Sequence, residues 1–173
     1  MGEGNGRFLV ELVRAQPELH IDCIDASSRM LEMANRRVAK EMPNAVLRVR
    51  FLNENIETCA LDQAGYDLIV THFVLDCFDH DQLEVVIPKL ATAAAPDATW
   101  LVADFREPRK GLARMHARMW LKAMYLFFRV TAGLRTQKLI DPDWPIRRCG
   151  FILQQEELAR YGMLKSQMWQ RGN

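Results

Sequence analysis

The chain has 173 residues, 49% of them hydrophobic, and a formal net charge of +1, which suits one sizeable core and predicts a single domain over 1–173. No apolar run reaches the roughly 20 residues that a bilayer-spanning helix needs, and Met1 leads into glycines rather than a basic segment, so neither a membrane span nor a secretory leader is expected. Cys23, Cys59, Cys77 and Cys149 show no CxxC pairing and no clustered histidines, so no metal site and no disulfide framework is expected, and a reduced, cytoplasmic setting fits.

Helices and short apolar strands alternate along the chain, the pattern of an open, doubly wound α/β sheet. After glycines at 2, 4 and 6, the residues Phe8, Leu9, Leu12 and Val13 recur at helical spacing until Pro17. Leu19 to Asp25 reads as a strand. Ser27 or Ser28 is placed to cap the next helix, which carries Met30, Leu31, Met33 and Ala34. Past Pro43, Leu47, Val49 and Phe51 alternate with Arg48 and Arg50, as on a strand at a sheet edge. Leu68-Ile69-Val70 and Trp100-Leu101-Val102-Ala103 are unbroken apolar runs, expected of central parallel strands covered on both faces. Between them Asp79 or Asp81 caps a helix running to about Ala95, with Leu83, Val86, Ile87 and Leu90 on its buried side. Residues 106–148 read as a helical insertion followed by a loop carrying Pro142 and Pro145. Gly150-Phe151-Ile152-Leu153 and Leu164 to Arg171 then read as an antiparallel pair closing the sheet.

The opening GEGNGR supplies a turn in which the backbone approaches a ligand closely, and Asp25, ending the next strand, is placed to bind ribose hydroxyls. This is a nucleoside-cofactor layout. The nicotinamide fingerprint GxGxxG would need glycine at position 7, where Arg7 stands. The GxGxG spacing instead resembles motif I of the class I S-adenosylmethionine-dependent methyltransferases. DASSRML at 25–31, Asn55-Ile56, YDLIVTHFVLDCF at 66–78, WLVADFREP at 100–108 and the closing MWQR are similar to later segments of that family, in the same order. The resemblance spans essentially the whole chain.

It implies a Rossmann-like, mostly parallel sheet with an antiparallel last strand, and S-adenosyl-L-methionine as cofactor. Gly2, Glu3, Gly4, Asn5 and Gly6 would wrap its methionine part, and Asp25 would hold the ribose. Ala26 and Met30 would line the adenine, Asn55 would bond its amino group beside Ile56, and Thr71 and His72 would complete the site. Family members order their strands 3-2-1-4-5-7-6. Their first strand precedes the glycine loop and has no counterpart here, so the domain is expected to be amino-terminally truncated, to lack its first strand and to be poorly stable.

Methyl transfer is an in-line displacement at a sulfonium methyl, so alignment dominates and only some acceptors need a base. His72 and Asp104 are the candidate catalytic groups, with Phe73, Asp76 and Arg106 nearby in sequence. Histidine at such a place equally often packs and bonds backbone, and Asp104 equally suits capping the segment after its strand. Residues 1–105 hold nine Lys/Arg and 17 Asp/Glu, whereas 106–173 hold 14 and five. Within the basic part, 112–130 forms an amphipathic pattern whose arginines either face water or meet an anionic lipid surface, while its methionines and aromatics cover the sheet or roof an acceptor pocket. His116 lies on its apolar side. The expected substrate is a small apolar or amphipathic molecule rather than nucleic acid. The alternatives are an RNA methyltransferase and a non-catalytic relic acting as a binding module.

Overall fold

The computed structural model describes residues 1–2, 4–106, 140–160 and 162–172. They fall into two compact units, Met1–Ala60 and Leu61–Asn173. The insertion expected over 106–148 lies for the most part outside the described residues, as do the helix 112–130, His116 and Glu3.

The first unit contains α1 (Arg7–Ala15), β1 (Ile21–Asp25), α2 (Ser28–Glu41), a 3-10 stretch (Pro43–Arg48) and β2 (Val49–Asn53). Strands β1 and β2 pair in parallel, from Ile21 opposite Val49 to Asp25 opposite Asn53. Leu9, Val10 and Val13 of α1 and Leu31 and Val38 of α2 meet Cys23, Ala45 and Val49 in a buried cluster. Each large side chain there contributes about 1.5–3 kcal/mol by leaving water. Ser27 rather than Ser28 caps α2, its hydroxyl accepting from the Met30 N–H at 3.4 Å. The strand expected from Leu47 begins two residues later, because Pro43 opens a 3-10 turn that carries the chain through Arg48. Leu47 consequently lies 96% exposed.

The second unit contains β3 (Tyr66–His72), α3 (His80–Ala93), β4 (Ala94–Phe105), α4 (Asp143–Arg148), β5 (Phe151–Ala159) and β6 (Leu164–Arg171). Its sheet has the order β3-β4-β6-β5, with β3 and β4 parallel and β6 antiparallel to both neighbours. Asp79 caps α3 in a reciprocal capping box with Gln82. The helix expected to reach Ala95 stops at Ala93. The alanines that come next favour helix by propensity, yet Ala94 already pairs with Tyr66, so ladder formation overrides local preference there. The loop expected around Pro142 and Pro145 is in part the short helix α4. Pro145 is its third residue, where a missing N–H costs no intrahelical hydrogen bond.

Along β4 the buried residues alternate, with Ala98, Trp100, Val102 and Asp104 turned inward. Trp100 stands opposite Trp169, and Asp104 opposite Lys165. Trp100 also meets Phe151 edge-on, at 5.4 Å between ring centres. The two sheets reproduce the strand orders 3-2 and 4-5-7-6 of the expected layout. Among the described residues no strand takes the part of strand 1, and β1 and β3 are each paired along one edge only. No helix of the described residues is long and apolar enough to cross a membrane.

Candidate functional site

In the first unit, the glycine loop runs directly into α1. Gly2, Gly4 and Gly6 have φ of 70°, 60° and 81°, a left-handed backbone that other residues adopt only at a cost. Gly6 caps α1, and a Cβ there would lie 2.7 Å from the Ala34 Cα, so the start of α1 packs against α2 only because this residue has no side chain. A Cβ on Gly4 would meet nothing within 4 Å, so there the glycine answers to conformation rather than to crowding. Arg37 of α2 fixes the loop, its Nε donating to the Asn5 carbonyl at 2.8 Å.

Asp25 closes β1 at its carboxyl end. Its Oδ1 accepts from the Ser27 N–H at 2.8 Å, and its carbonyl accepts from the Asn53 side chain at 3.0 Å. The carboxylate is thereby held in place, while Oδ2 has no partner among the described residues. Ala26 and Met30 are exposed beyond it. Asn55 forms an Asx turn, its Oδ1 accepting from the Glu57 N–H at 2.9 Å, and Ile56 is buried. An amide oxygen has two lone pairs, so an adenine amino group would share Asn55 with this turn. A left-handed loop at a helix start followed by an anchored carboxylate with an open oxygen fits a nucleoside bearing an aminoacyl arm.

In the second unit the candidates gather at the carboxyl ends of β3 and β4, where ligands bind in open α/β sheets. His72 ends β3 opposite Ala103. Phe73 comes next with φ of 52°, its N–H donating to the Ala103 carbonyl at 2.7 Å. A bulky residue in that region stores about 1–3 kcal/mol of strain. The Phe73 ring lies 5.0 Å from Phe105 and 4.6 Å from His72. Burial holds the His72 imidazole below its ordinary pKa, so it is neutral near pH 7. Thr71 is fully buried, and its hydroxyl accepts from the Trp100 indole at 3.0 Å, which commits it to the interior of the sheet.

Asp76 and Asp104 are both buried, the first on a 3-10 turn (Leu75–Cys77) and the second near the end of β4. Neither oxygen of Asp104 has a hydrogen-bond partner among the described residues. The amides of Val74 and Asp76 face the carboxyl and favour its charged form, without the geometry of hydrogen bonds. Burial, and then the Asp76 charge, push Asp104 up to about 8, and burial pushes Asp76 up to about 6. The capping role expected of Asp104 is not seen among the described residues. Asp76 matters more than its sequence suggested. Its signal was a carboxylate within the apolar FVLDCF stretch, four residues past the end of β3.

Lys165, only 4% exposed, stands across the ladder from Asp104. Its ammonium donates to Asp141 at 2.8 Å and Asp143 at 2.6 Å. Burial opposes its charge, and these two carboxylates outweigh that opposition and raise its pKa. Gln167 extends the network, donating to Asp143 at 3.0 Å and to Glu156 at 2.8 Å.

The family model described as "Methyltransferase domain" matches residues 1–108, more than half of the chain. No curated protein matches the sequence. Among solved structures, a possible exported protein from Bordetella parapertussis is 18% identical with a TM-score of 0.72, over 99% of this chain and 60% of its own. The apo S-adenosylmethionine-dependent methyltransferase SibL is 20% identical with a TM-score of 0.70, over 99% and 49%. The magnesium protoporphyrin IX methyltransferase of Synechocystis PCC 6803, solved with its methyl donor bound, is 15% identical with a TM-score of 0.65, over 99% and 67%. The chain thus spans about half to two thirds of the length of these structures, and at such identities the likeness shows the fold. With the glycine loop and the strand-end carboxylate in the places that the motifs call for, the chain belongs to the methyltransferase domain family, the class I S-adenosylmethionine-dependent enzymes.

Proposed function

We propose that this chain is the catalytic domain of an S-adenosylmethionine-dependent methyltransferase acting on a small apolar or amphipathic acceptor. The observation that carries the reading is the left-handed loop at Gly2, Gly4 and Gly6 in the same unit as Asp25, whose carboxylate is anchored by Ser27 at one oxygen and open at the other. The loop backbone would hold the methionine arm, Asp25 the ribose, and the exposed Ala26 and Met30 the adenine face. When bound, the cofactor supplies an electrophilic methyl group. The half-buried rings of Phe73 and Phe105 favour an apolar acceptor body. His72, neutral and at the end of β3, is the candidate to accept a proton from it.

Calorimetric titration of the full chain with S-adenosylmethionine tests this. One saturable site is expected, and Asp25→Ala should weaken it by about 1.5–3 kcal/mol, the usual loss of a hydrogen bond to a charged group. Absence of any binding heat would overturn the cofactor assignment and favour a non-catalytic binding module, a reading motivated by the absence of a strand 1 among the described residues. An RNA acceptor draws its support from the basic balance of 106–173, and electrophoretic retardation of single-stranded RNA separates it from a small-molecule enzyme.

A further inference from the structure

In the first unit the glycine loop is held against α2 at two neighbouring points. Gly6 rests on α2, where a Cβ would lie 2.7 Å from the Ala34 Cα, and its carbonyl accepts from the Val10 N–H at 3.2 Å. Three residues after Ala34, and so on the same face of α2, stands Arg37. Its Nε donates to the Asn5 carbonyl at 2.8 Å, joining positions 32 residues apart. Its Nη1 donates to Glu41 at 3.1 Å, and Glu41 lies 4.0 Å from Arg14 of α1, so the guanidinium is itself held. Asn5 stands between Gly4 and Gly6, at φ of 60° and 81°, and glycine leaves the backbone more conformations than any other residue. In a trans peptide the N–H points opposite to the carbonyl. A fixed Asn5 carbonyl therefore fixes the direction of the Gly6 N–H, which faces away from Arg37. A charged donor on the carbonyl also polarises that peptide and makes its N–H the stronger donor.

We propose that Arg37, steadied by Glu41, is a positioning residue for the methyl donor: it presents the Gly6 N–H to the donor's aminoacyl arm and thereby sets the affinity for ligands that carry this arm. The inference rests on the methyltransferase reading above. Arg37 acts through the Asn5–Gly6 peptide, which it holds in one orientation before the ligand arrives. The cost of ordering the loop is then met on folding rather than on binding. Fixing the backbone of one residue shifts an equilibrium by about 5- to 30-fold, and binding should weaken by that range when the guanidinium is removed. The nucleoside end gains nothing from Arg37, because Asp25 is anchored separately, by the Ser27 N–H and the Asn53 side chain.

Calorimetric titration of the full chain with S-adenosylmethionine and with adenosine, which keeps the ribose and base and lacks the aminoacyl arm, tests this. Arg37→Met should weaken S-adenosylmethionine by about 5- to 30-fold and leave adenosine within about twofold. Arg37→Lys, which keeps the charge and an N–H donor, should recover part of the loss, whereas Asp25→Ala should weaken both ligands. Glu41→Ala should show the selectivity of Arg37→Met to a smaller extent. Equal losses for the two ligands in Arg37→Met would mark Arg37 as merely structural, and unchanged affinity for S-adenosylmethionine would overturn the proposal. Should Arg37→Met fail to fold, Glu41→Ala carries the same comparison with the same refuting outcomes. A wild type that binds neither ligand overturns the cofactor reading and this inference with it, whereas a wild type that binds both leaves the variants to decide Arg37 alone. The loop itself is read in the ligand-free chain by nitrogen–proton NMR. The Gly4 and Gly6 amide signals should be single in the wild type and broadened or split in Arg37→Met. Signals that stay single in the variant would show that the loop needs no clamp, whatever either ligand does.

Discussion

Replacing Gly6 by alanine separates two demands that glycine meets in the cofactor loop. At φ of 81° an L side chain costs about 1–2 kcal/mol, of which about 0.4–1 kcal/mol is returned because alanine restricts the unfolded chain. The new Cβ would also sit 2.7 Å from the Ala34 Cα and 3.1 Å from its carbonyl oxygen, which are backbone atoms of α2 and cannot turn aside. Displacing a packed helix costs about 1–3 kcal/mol more. The expected total for Gly6→Ala is therefore roughly 2–4 kcal/mol. Gly4→Ala, also left-handed at φ of 60° but with open space around the added carbon, should cost only about 1 kcal/mol. Amide hydrogen exchange read at Val10 and Val38, one on each helix, reports the local opening free energy. Both amides should lose protection by some tenfold or more in Gly6→Ala relative to Gly4→Ala. Equal losses in the two variants would show that α1 and α2 do not need this close approach.

The buried acids predict how stability depends on pH. Their folded-state affinities for protons, near 6 and 8, lie above the ordinary carboxylate value, so the native chain binds more protons than the unfolded chain from about pH 4 upward. Their contribution is complete below that range and is lost as pH rises through 6 and 8. The urea midpoint should accordingly be lower at pH 8.5 than at pH 5, and Asp104→Asn should flatten the slope; a midpoint that rises over this range would contradict it. Lys165→Met should destabilise by about 1–3 kcal/mol in urea at pH 7, less than for a fully buried pair because Asp141, 72% exposed at its side chain, can turn to water. Thr71→Val keeps the volume but leaves the buried Trp100 indole N–H unsatisfied, which should cost about 1–3 kcal/mol in the same assay.

Much of the fold was legible because single local signals agreed with the pairing. Phe8, Leu9, Leu12 and Val13 gave the helical period of α1, Asp79, one of two candidate caps with Asp81, marked the start of α3, and the apolar runs at 68–70 and 100–103 marked the parallel pair β3 and β4. The misreadings fall where a distant partner decides. Ala94 is helical by propensity and a strand residue by its pairing with Tyr66. Pro145 reads as a loop former, yet it stands in the first turn of α4, where a helix accepts proline.

The same division holds for the candidate site. Asp25 was recognisable as a candidate because the role proposed for it needs only a place in one strand and a glycine loop one helix earlier. Asp104 was recognisable as a candidate but not in character, and Asp76 scarcely at all, because a carboxyl's character comes from its surroundings. Between these two aspartates lie 27 residues of chain, and Lys165 comes 61 residues after Asp104. The sheet brings them together by setting β4 between β3 and β6. Nothing in the local sequence of any one of them indicates that one cation must serve several acids. Replacing Lys165 should therefore act on Asp104 as well as on stability: in Lys165→Met the protonated Asp104 carboxyl, followed by infrared difference spectroscopy, should persist to higher pH than in the wild type, because the positive charge that opposes its protonation among the described residues is gone. If that signal instead titrates unchanged, Lys165 serves Asp141 and Asp143 alone, and Asp104 owes its raised proton affinity to burial and to the Asp76 charge.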